Sequence, residues 1–425
     1  MSNCVWIISE LYYPEDTSTG YVMTKIAEGL SEQYAVGVLC SQPTYAKRGM
    51  RAPKHEFHNN VEIFRCRGTT FNKDSLALRL VNLLTISLSI WFTALWRLRR
   101  NDCVIVVTNP PSLPFLIAFA CWIKGAKCLL LVHDLYPEVL TAAEIVRREG
   151  IAMKVIGFCS RMLYRNVAAI IALGRDMEER IRRHAGQSNV PISIIPNWSD
   201  LSEIRPLPKE LNRLLKDLQL QEKFVVQYCG NMGRTHGLET LFEAARRLRG
   251  VPEVHFLFVG SGAKKQWLED AAKAECLPNV SILSRRPRND LNDTLNACDV
   301  SVISFVKGMA GISVPSRMYN ALAAGTPILA IADADSELAL VVQEECVGWV
   351  VPPEDPDIVV KTVLQARDDR DSLKAMGIRA RESAEKKYSF VAIIGSYQEL
   401  ISKLVFKGSN VSSTGSGTVE QQLEV

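Results

Sequence analysis

Short apolar runs recur along the chain, and between them apolar positions repeat every three to four residues. In the first half the runs fall at 4–8, 36–39, 104–108, 129–132, 170–173 and 192–195, each followed by a polar or turn-forming residue. Helical spacing appears at 20–32 and 177–184. The second half repeats the scheme, with runs at 224–228, 255–259, 280–283, 300–303, 327–331 and 349–351 and helical stretches at 238–249, 264–275 and 314–324. Uniformly apolar strands alternating with amphipathic helices are the pattern of parallel sheets covered on both faces. The fold class is therefore α/β, with two doubly wound domains at 1–200 and 201–388. The segment 196–208 holds three prolines and reads as their linker. An amphipathic helix is expected at 389–406, and the Ser/Gly/Thr/Glu-rich stretch 407–425 reads as a disordered tail.

One apolar segment stands apart. Residues 80–96 read LVNLLTISLSIWFTALW, with Arg79 before them and Arg97, Arg99 and Arg100 just after. A spanning helix needs about 20 mostly apolar residues, and this run is shorter and carries Asn82, Thr85, Ser87 and Ser89. Trp91 and Trp96 beside arginines suit a membrane interface. A core helix and a span are the other two readings.

Composition narrows the function. A chain of 425 residues suits two α/β domains. A formal net charge of +4 is too small for a dedicated nucleic-acid binder, so no nucleic-acid partner is expected. The 11 cysteines include no C-x-x-C pair and several lie in apolar runs, which reads as reduced, buried thiols. The first residues lack a basic segment followed by a long apolar stretch, so a cytoplasmic location is expected.

Ligands of doubly wound sheets bind at the carboxyl ends of the strands. That rule sends Glu10, Asn109, His133, Asp134, Gly174, Asn197, Gly230, Gly260 and Phe305 toward one cleft. The strongest local signal is GMAGISVPSRMYNALAAGTP at 308–327. Gly311 lets backbone approach a ligand, Pro315 suits a first helical turn, and the helix start offers N–H groups and a positive dipole end to a phosphate. Arg317 sits in that first turn, where the dipole disfavours a cation and a bound anion would explain it. The second signal is YCGNMGRTHGLETL at 228–241, where a buried strand enters a loop carrying Gly230, Gly233 and Gly237, with Arg234 and His236 as its polar groups. The triplet Asp333-Ala334-Asp335 has the form of a metal-diphosphate motif, but such triplets arise by chance and no metal is expected. Elsewhere His133 and Asp134 follow an apolar strand, and Glu15 and Glu138 are carboxylates placed after prolines.

Taken together, these motifs resemble the family 4 (group 1) retaining glycosyltransferases over nearly the whole chain. The resemblance is carried by YYPEDTSTG at 12–20, SQPTY at 41–45, TNPPSLP at 108–114, VHDLYPE at 132–138, IPNWSD at 195–200, VGSG at 259–262 and VPSRMYNALAAGTP at 314–327. It is nearest to the polysaccharide and O-antigen branch, including N-acetyl-L-fucosaminyl transferases. The resemblance implies a GT-B fold of two Rossmann-like domains facing a cleft. It also implies a UDP-sugar donor held by the C-terminal domain as co-substrate, with no cofactor. The implied acceptor is a polyprenyl-diphosphate-linked saccharide, met by the N-terminal domain at the inner face of the plasma membrane.

Residue by residue, the resemblance gives Gly311, Ser313, Val314, Ser316 and Arg317 to the diphosphate, with Gly230, Gly233 and Arg234 approaching from the other side. Arg286, within 285–291, would lie near the base. His133 and Asp134 would meet the donor sugar and the acceptor, and Glu15, Gly20 and Glu138 would serve the acceptor. The family's glutamate pair falls on Ile312 and Asn320 here. Asn320 can still hydrogen-bond ribose hydroxyls, but Ile312 cannot replace a carboxylate. Charge neutralisation is therefore expected from Arg234 and Arg317. A non-catalytic nucleotide-sugar-binding partner and a UDP-sugar 2-epimerase are the alternative readings.

Overall fold

A computed structural model of the chain describes residues 4–15, 17–43, 51–71, 76–145 and 150–406. The tail expected at 407–425, Asp16 and the 44–45 end of the SQPTY motif lie outside the described residues. The first sheet contains β1 (Val5–Ile8), β2 (Val36–Ser41), β3 (His55–His58), β4 (Val61–Cys66), β5 (Cys103–Val107), β6 (Lys127–Leu131), β7 (Ala169–Ala172) and β8 (Ile192–Ile194). Its strand order is β3-β4-β2-β1-β5-β6-β7-β8, parallel except for β3. The second sheet contains β9 (Phe224–Asn231), β10 (Val254–Ser261), β11 (Val280–Ser284), β12 (Val300–Ser304), β13 (Ile328–Ile331) and β14 (Gly348–Val351). Its order is β11-β10-β9-β12-β13-β14, wholly parallel.

The twelve apolar runs all became strands, as buried parallel sheets require. β3 and β4 are additions. They form a hairpin on the two-residue turn Asn59–Asn60, both at positive φ (47° and 63°), which is the geometry such turns demand.

In the first sheet the order reverses at β1, with β2 on one side and β5 on the other. In the second it reverses at β9, between β10 and β12. These switch points place the loops after β1, β5, β9 and β12 at the ligand crevice.

The 196–208 segment is packed rather than loose. Asn197, Trp198, Ser199 and Ile204 are buried, and Ser199 bridges to Ser389. The Phe390–Phe406 helix then crosses back to the first domain. A side chain on Gly29 would lie 2.8 Å from Ile394, so the Ser18–Leu30 and Phe390–Phe406 helices meet at a glycine.

The 80–96 segment lies within one helix, Leu76–Arg97. It is neither a plain core helix nor one free of the fold. Ile86, Ile90 and Ala94, spaced four apart, are buried against the sheet, whereas Leu80, Leu84, Leu88, Phe92 and Trp96 are exposed. Its polar residues are fasteners. Asn82 accepts from Phe71 N and Thr69 Oγ1 and donates to Phe71 O, Thr85 Oγ1 accepts from Thr69 N, and the Cys66 thiol donates to Thr93.

Candidate functional site in the interdomain cleft

Arg317 is the centre of the site. The helix expected at 314–324 begins only at Arg317 and ends at Ala323. The physical cause is local. Ser313 is extended, bridging antiparallel to Asp134 of the first domain, and Pro315 disfavours helical geometry at Val314 before it. Arg317 therefore opens the helix, and its guanidinium turns across the cleft floor. Its Cζ lies 4.6 Å from the centre of the buried Tyr228 ring. Both Nη atoms are buried and without a hydrogen-bond partner among the described residues. Above it is Gly230, where any Cβ would stand 3.2 Å from Nη1. A glycine there leaves the guanidinium face open to the loop after β9.

That loop is tight. Just before it, where Gly260 of β10 pairs with Gly230 of β9, a Cβ on Gly260 would fall 1.9 Å from Gly230 O, so the strand end tolerates no side chain there. Gly233 lies against Asn231 and His236. The His236 ring stacks on Phe305, 5.4 Å between centres, and its buried Nδ1 has no hydrogen-bond partner among the described residues. Burial first, then the nearby Arg317 charge, pushes its pKa well below the ordinary imidazole value. Arg234 is exposed on the loop and forms no ion pair among the described residues.

The first domain supplies the opposite wall. Thr108 Oγ1 accepts from the amides of His133 (3.1 Å) and Asp134 (3.2 Å), fixing the β6 exit against the β5 exit. His133 Nε2 is buried without a hydrogen-bond partner among the described residues, and burial lowers its pKa to about 4, so the ring is neutral at physiological pH. Burial raises the Asp134 carboxyl, opposed by a hydrogen bond from Ser313. Ile312 O accepts from Leu135 N at 2.9 Å, which fixes the domain register beside the bridge. Ser18 Oγ lies 3.1 Å from Ser316 Oγ across the cleft. Thr17 Oγ1 caps this helix start by accepting from Gly20 N, and Glu15 is buried immediately before it.

His133, Asp134, Gly230, Gly233, Gly311, Ser313, Val314, Ser316, Arg317, Glu15 and the Thr17–Gly20 helix start thus share one cleft. Three expected residues are engaged elsewhere and a fourth is exposed. Glu138 pairs with His184 (3.0 Å), Arg286 pairs with Asp290 (2.9 Å), Asn320 accepts from Ser199 of the linker (3.1 Å), and Arg234 points to solvent. Asp333 of the D-x-D triplet accepts from Gly308 N and Ala310 N, so its carboxylate shapes the 308–311 loop.

A clasp between the domains carries no sequence motif. Asp176 Oδ2 accepts from Gly311 N (2.7 Å) and Glu337 N (2.9 Å), while Glu337 Oε2 accepts from Arg175 N (2.8 Å) and Nε (3.0 Å). Each carboxylate thereby sits on a helix N-terminus of the other domain, where the dipole favours it. A signal was available in the carboxylate at the helix start just past the 170–173 run.

Burial of neutral histidines has a pH consequence. His133 and His255 are both lowered to about 4 by burial. Between 6.5 and 4 the unfolded chain binds protons that these folded imidazoles refuse. Their contribution to stability is therefore complete above 6.5 and lost as pH falls toward 4. The raised Asp134 and Asp176 carboxyls act in the opposite sense. The expected result is a thermal midpoint that falls across this window, with a shallower fall in His133→Gln; identical slopes would show that His133 does not carry the effect.

Comparison with known proteins gives a consistent answer. Residues 213–383 match the family "Glycosyl transferases group 1", and residues 19–198 match a "Glycosyl transferase 4-like domain". The chain is 29% identical over 363 residues to "Probable glycosyltransferase WbjE" of Pseudomonas aeruginosa, across 84% of this chain and 88% of that one. It is 25% identical over 370 residues to "Putative colanic acid biosynthesis glycosyl transferase WcaI" of Escherichia coli K12, across 84% and 90%. Among solved structures, sucrose-phosphate synthase from Thermosynechococcus elongatus superposes with a TM-score of 0.74 at 18% identity, covering 96% of this chain and all of that one. HepE from Anabaena, in complex with UDP and glucose, gives 0.71 at 14% identity, with 94% and 100% covered. WaaG, a glycosyltransferase involved in lipopolysaccharide biosynthesis, gives 0.67 at 15% identity, with 93% and 99% covered. The fold is GT-B.

Proposed function

We propose that the chain is a glycosyltransferase that moves a sugar from a UDP-sugar to a lipid-linked saccharide during surface-polysaccharide synthesis, a reading supported by the match of residues 19–198 to a glycosyl transferase 4-like domain and of 213–383 to a group 1 domain. The carrying observation is Arg317, a buried guanidinium with two unpartnered Nη atoms facing a glycine-rich loop. A buried, unpaired cation is costly unless an anion arrives. UDP in the HepE complex and the names of WbjE and WcaI support the donor class and the pathway class.

The chemistry follows from charge. Cleaving the sugar–phosphate bond puts negative charge on the departing diphosphate, and a fixed guanidinium in a partly dry cleft stabilises it as it forms. The sugar becomes cationic and is attacked on the face the diphosphate leaves, so configuration is retained and a phosphate oxygen takes the acceptor's proton. Neutral His133 offers an unpartnered Nε2 to a sugar hydroxyl. Asp134, held against Ser313, lies where the acceptor enters.

Membrane docking rests on three helices. Beside the Leu76–Arg97 helix lies Leu113–Lys124, and beside that Ile151–Asn166. Phe119 and Trp122 on the second, and Val155, Phe158 and Met162 on the third, extend the exposed apolar face. None of the three contains an acidic residue, and they carry Arg97, Lys124, Lys154, Arg161 and Arg165. Such a face suits an anionic bilayer surface. Replacing Trp96, Trp122 and Phe158 together by serine is expected to weaken binding to phosphatidylglycerol vesicles by at least about tenfold, given about 1.5–3 kcal/mol per buried aromatic. Unchanged co-sedimentation would remove the face from the docking reading.

The test of the transferase reading incubates the protein with several UDP-sugars, N-acetylated 6-deoxy hexosamines included, and lipid carrying diphosphate-linked sugars. UDP release with a matching mass gain on the lipid supports the proposal. UDP binding without transfer from any donor would favour a non-catalytic binding partner, with Ile312 in the glutamate position as its cause.

A further inference from the structure

A second concave site lies on the first domain, lined by Gln42, Arg51, Ala52, Lys54 and Arg67. Its place in the topology is specific. Gln42 follows β2, Arg67 follows β4, and Arg51 to Lys54 lead into antiparallel β3, so all three segments lie at the carboxyl end of the parallel strands, the end that also carries the β1 loop. The floor is built rather than incidental. The Gln42 side chain clamps Ala52 through Nε2 to O and Oε1 from N, both 3.1 Å. The buried Arg65 guanidinium donates to Pro53 O (2.9 Å) and to Tyr13 O (2.8 Å), tying the pocket to the turn that enters the main cleft. Arg65 is itself neutralised by Glu56.

Arg51, Lys54 and Arg67 form no ion pair among the described residues, whereas arginines elsewhere, such as Arg246, Arg247 and Arg381, have carboxylate partners. Three like charges around one hollow repel one another, and the repulsion is relieved by a polyanion of similar span. Its other side meets the apolar helix. One residue past Arg67, a Cβ on Gly68 would stand 2.9 Å from Ile86, and Thr69 and Phe71 are pinned by Asn82 and Thr85. The pocket thus lies between the strand exit that packs on the Leu76–Arg97 helix and Tyr13, which Arg65 holds.

We propose that Gln42, Arg51, Lys54 and Arg67 seat the diphosphate of a polyprenyl-linked acceptor, with its tail toward the Leu76–Arg97 helix and its sugar toward the cleft. The acceptor role rests on the transferase reading; the diphosphate site does not. The test compares the full chain with the triple variant Arg51→Ser, Lys54→Ser, Arg67→Ser, whose exposed side chains leave the core untouched. Binding is measured to neutral vesicles doped with undecaprenyl diphosphate, with undecaprenyl monophosphate, or with phosphatidylglycerol at equal total charge. The expected result is that the wild type prefers diphosphate vesicles, that the triple variant loses at least tenfold of that binding, and that its phosphatidylglycerol binding and UDP affinity are unchanged. An equal loss on diphosphate and phosphatidylglycerol vesicles would reduce the pocket to general headgroup attraction, and no loss on either would overturn it. If no UDP-sugar supports transfer, the vesicle comparison still decides the site, so the two readings fail separately.

Discussion

Arg317→Ala is expected to lower UDP-sugar turnover by about 10²-fold or more, the loss typical of removing one pre-aimed charge from a site of developing negative charge. The same substitution is expected to leave the unliganded protein as stable as the wild type, or more so. The reason is the environment of the guanidinium. It is buried over Tyr228, and among the described residues neither Nη atom has a hydrogen-bond partner, so the empty protein carries a desolvated cation set against the ring face. A structural arginine would behave oppositely, since its removal would strand carboxylates or carbonyls. Thermal unfolding with and without UDP separates the cases. The wild type should gain stability with UDP, by about 2.7 kcal/mol at a hundredfold excess over Kd, and Arg317→Ala should gain far less. Arg317→Lys restores charge but neither the planar fork nor the stacking, and it should recover only part of the turnover. A variant that unfolds earlier yet still shifts with UDP would place Arg317 in the scaffold and return the diphosphate to other groups.

Arg317 could be singled out from sequence because a cation in a first helical turn opposes the dipole, and that local contradiction needed no tertiary information. The helix start could not be placed as well. Ser313 is extended because it pairs with Asp134, 179 residues earlier, and no local pattern reports such a partner. The sheets were legible for a related reason. Strands buried on both faces are apolar throughout, so their runs announce themselves, whereas edge strand β3 reads HEFH and is half exposed. Its hairpin partner β4 escaped with it, although Asn59–Asn60 is a strong turn pair. The apolar helix showed its ambiguity plainly, and only the structure could show that Asn82, Thr85 and Thr93 face the strand exit while the leucines face outward. Least legible were groups whose role depends on how two domains meet. Glu138, Arg286 and Asn320 all lie at suitable sequence positions and all bind something else, whereas Asp176 carries no motif.

Asp176 is the subject of the second large effect. Its carboxylate accepts from Met177 N, Gly311 N and Glu337 N, two of them across the domain interface. Asp176→Ala strands these amides, each costing about 1–3 kcal/mol where water does not reach, and partial opening of the interface limits the sum to about 2–4 kcal/mol. Glu337→Ala breaks the reciprocal half of the clasp to Arg175. Because both carboxylates tie the same two helix starts, Arg175 and Glu337, across one interface, the double variant should lose less than the sum of the singles, by at least about 0.5 kcal/mol. Glu344→Ala is the control. It removes an exposed partner of the same Arg175 and should cost under about 1 kcal/mol. Urea midpoints measure all four. The clasp also holds the Gly311 amide, the group that the family resemblance gives to the donor diphosphate. If Asp176 is only a domain tie, Asp176→Ala weakens the fold but keeps its stabilisation by UDP, because the Gly311 N–H is released to the ligand. If UDP stabilisation disappears while Glu337→Ala retains it, Asp176 belongs to the donor site itself and the cleft closes around the nucleotide through that carboxylate.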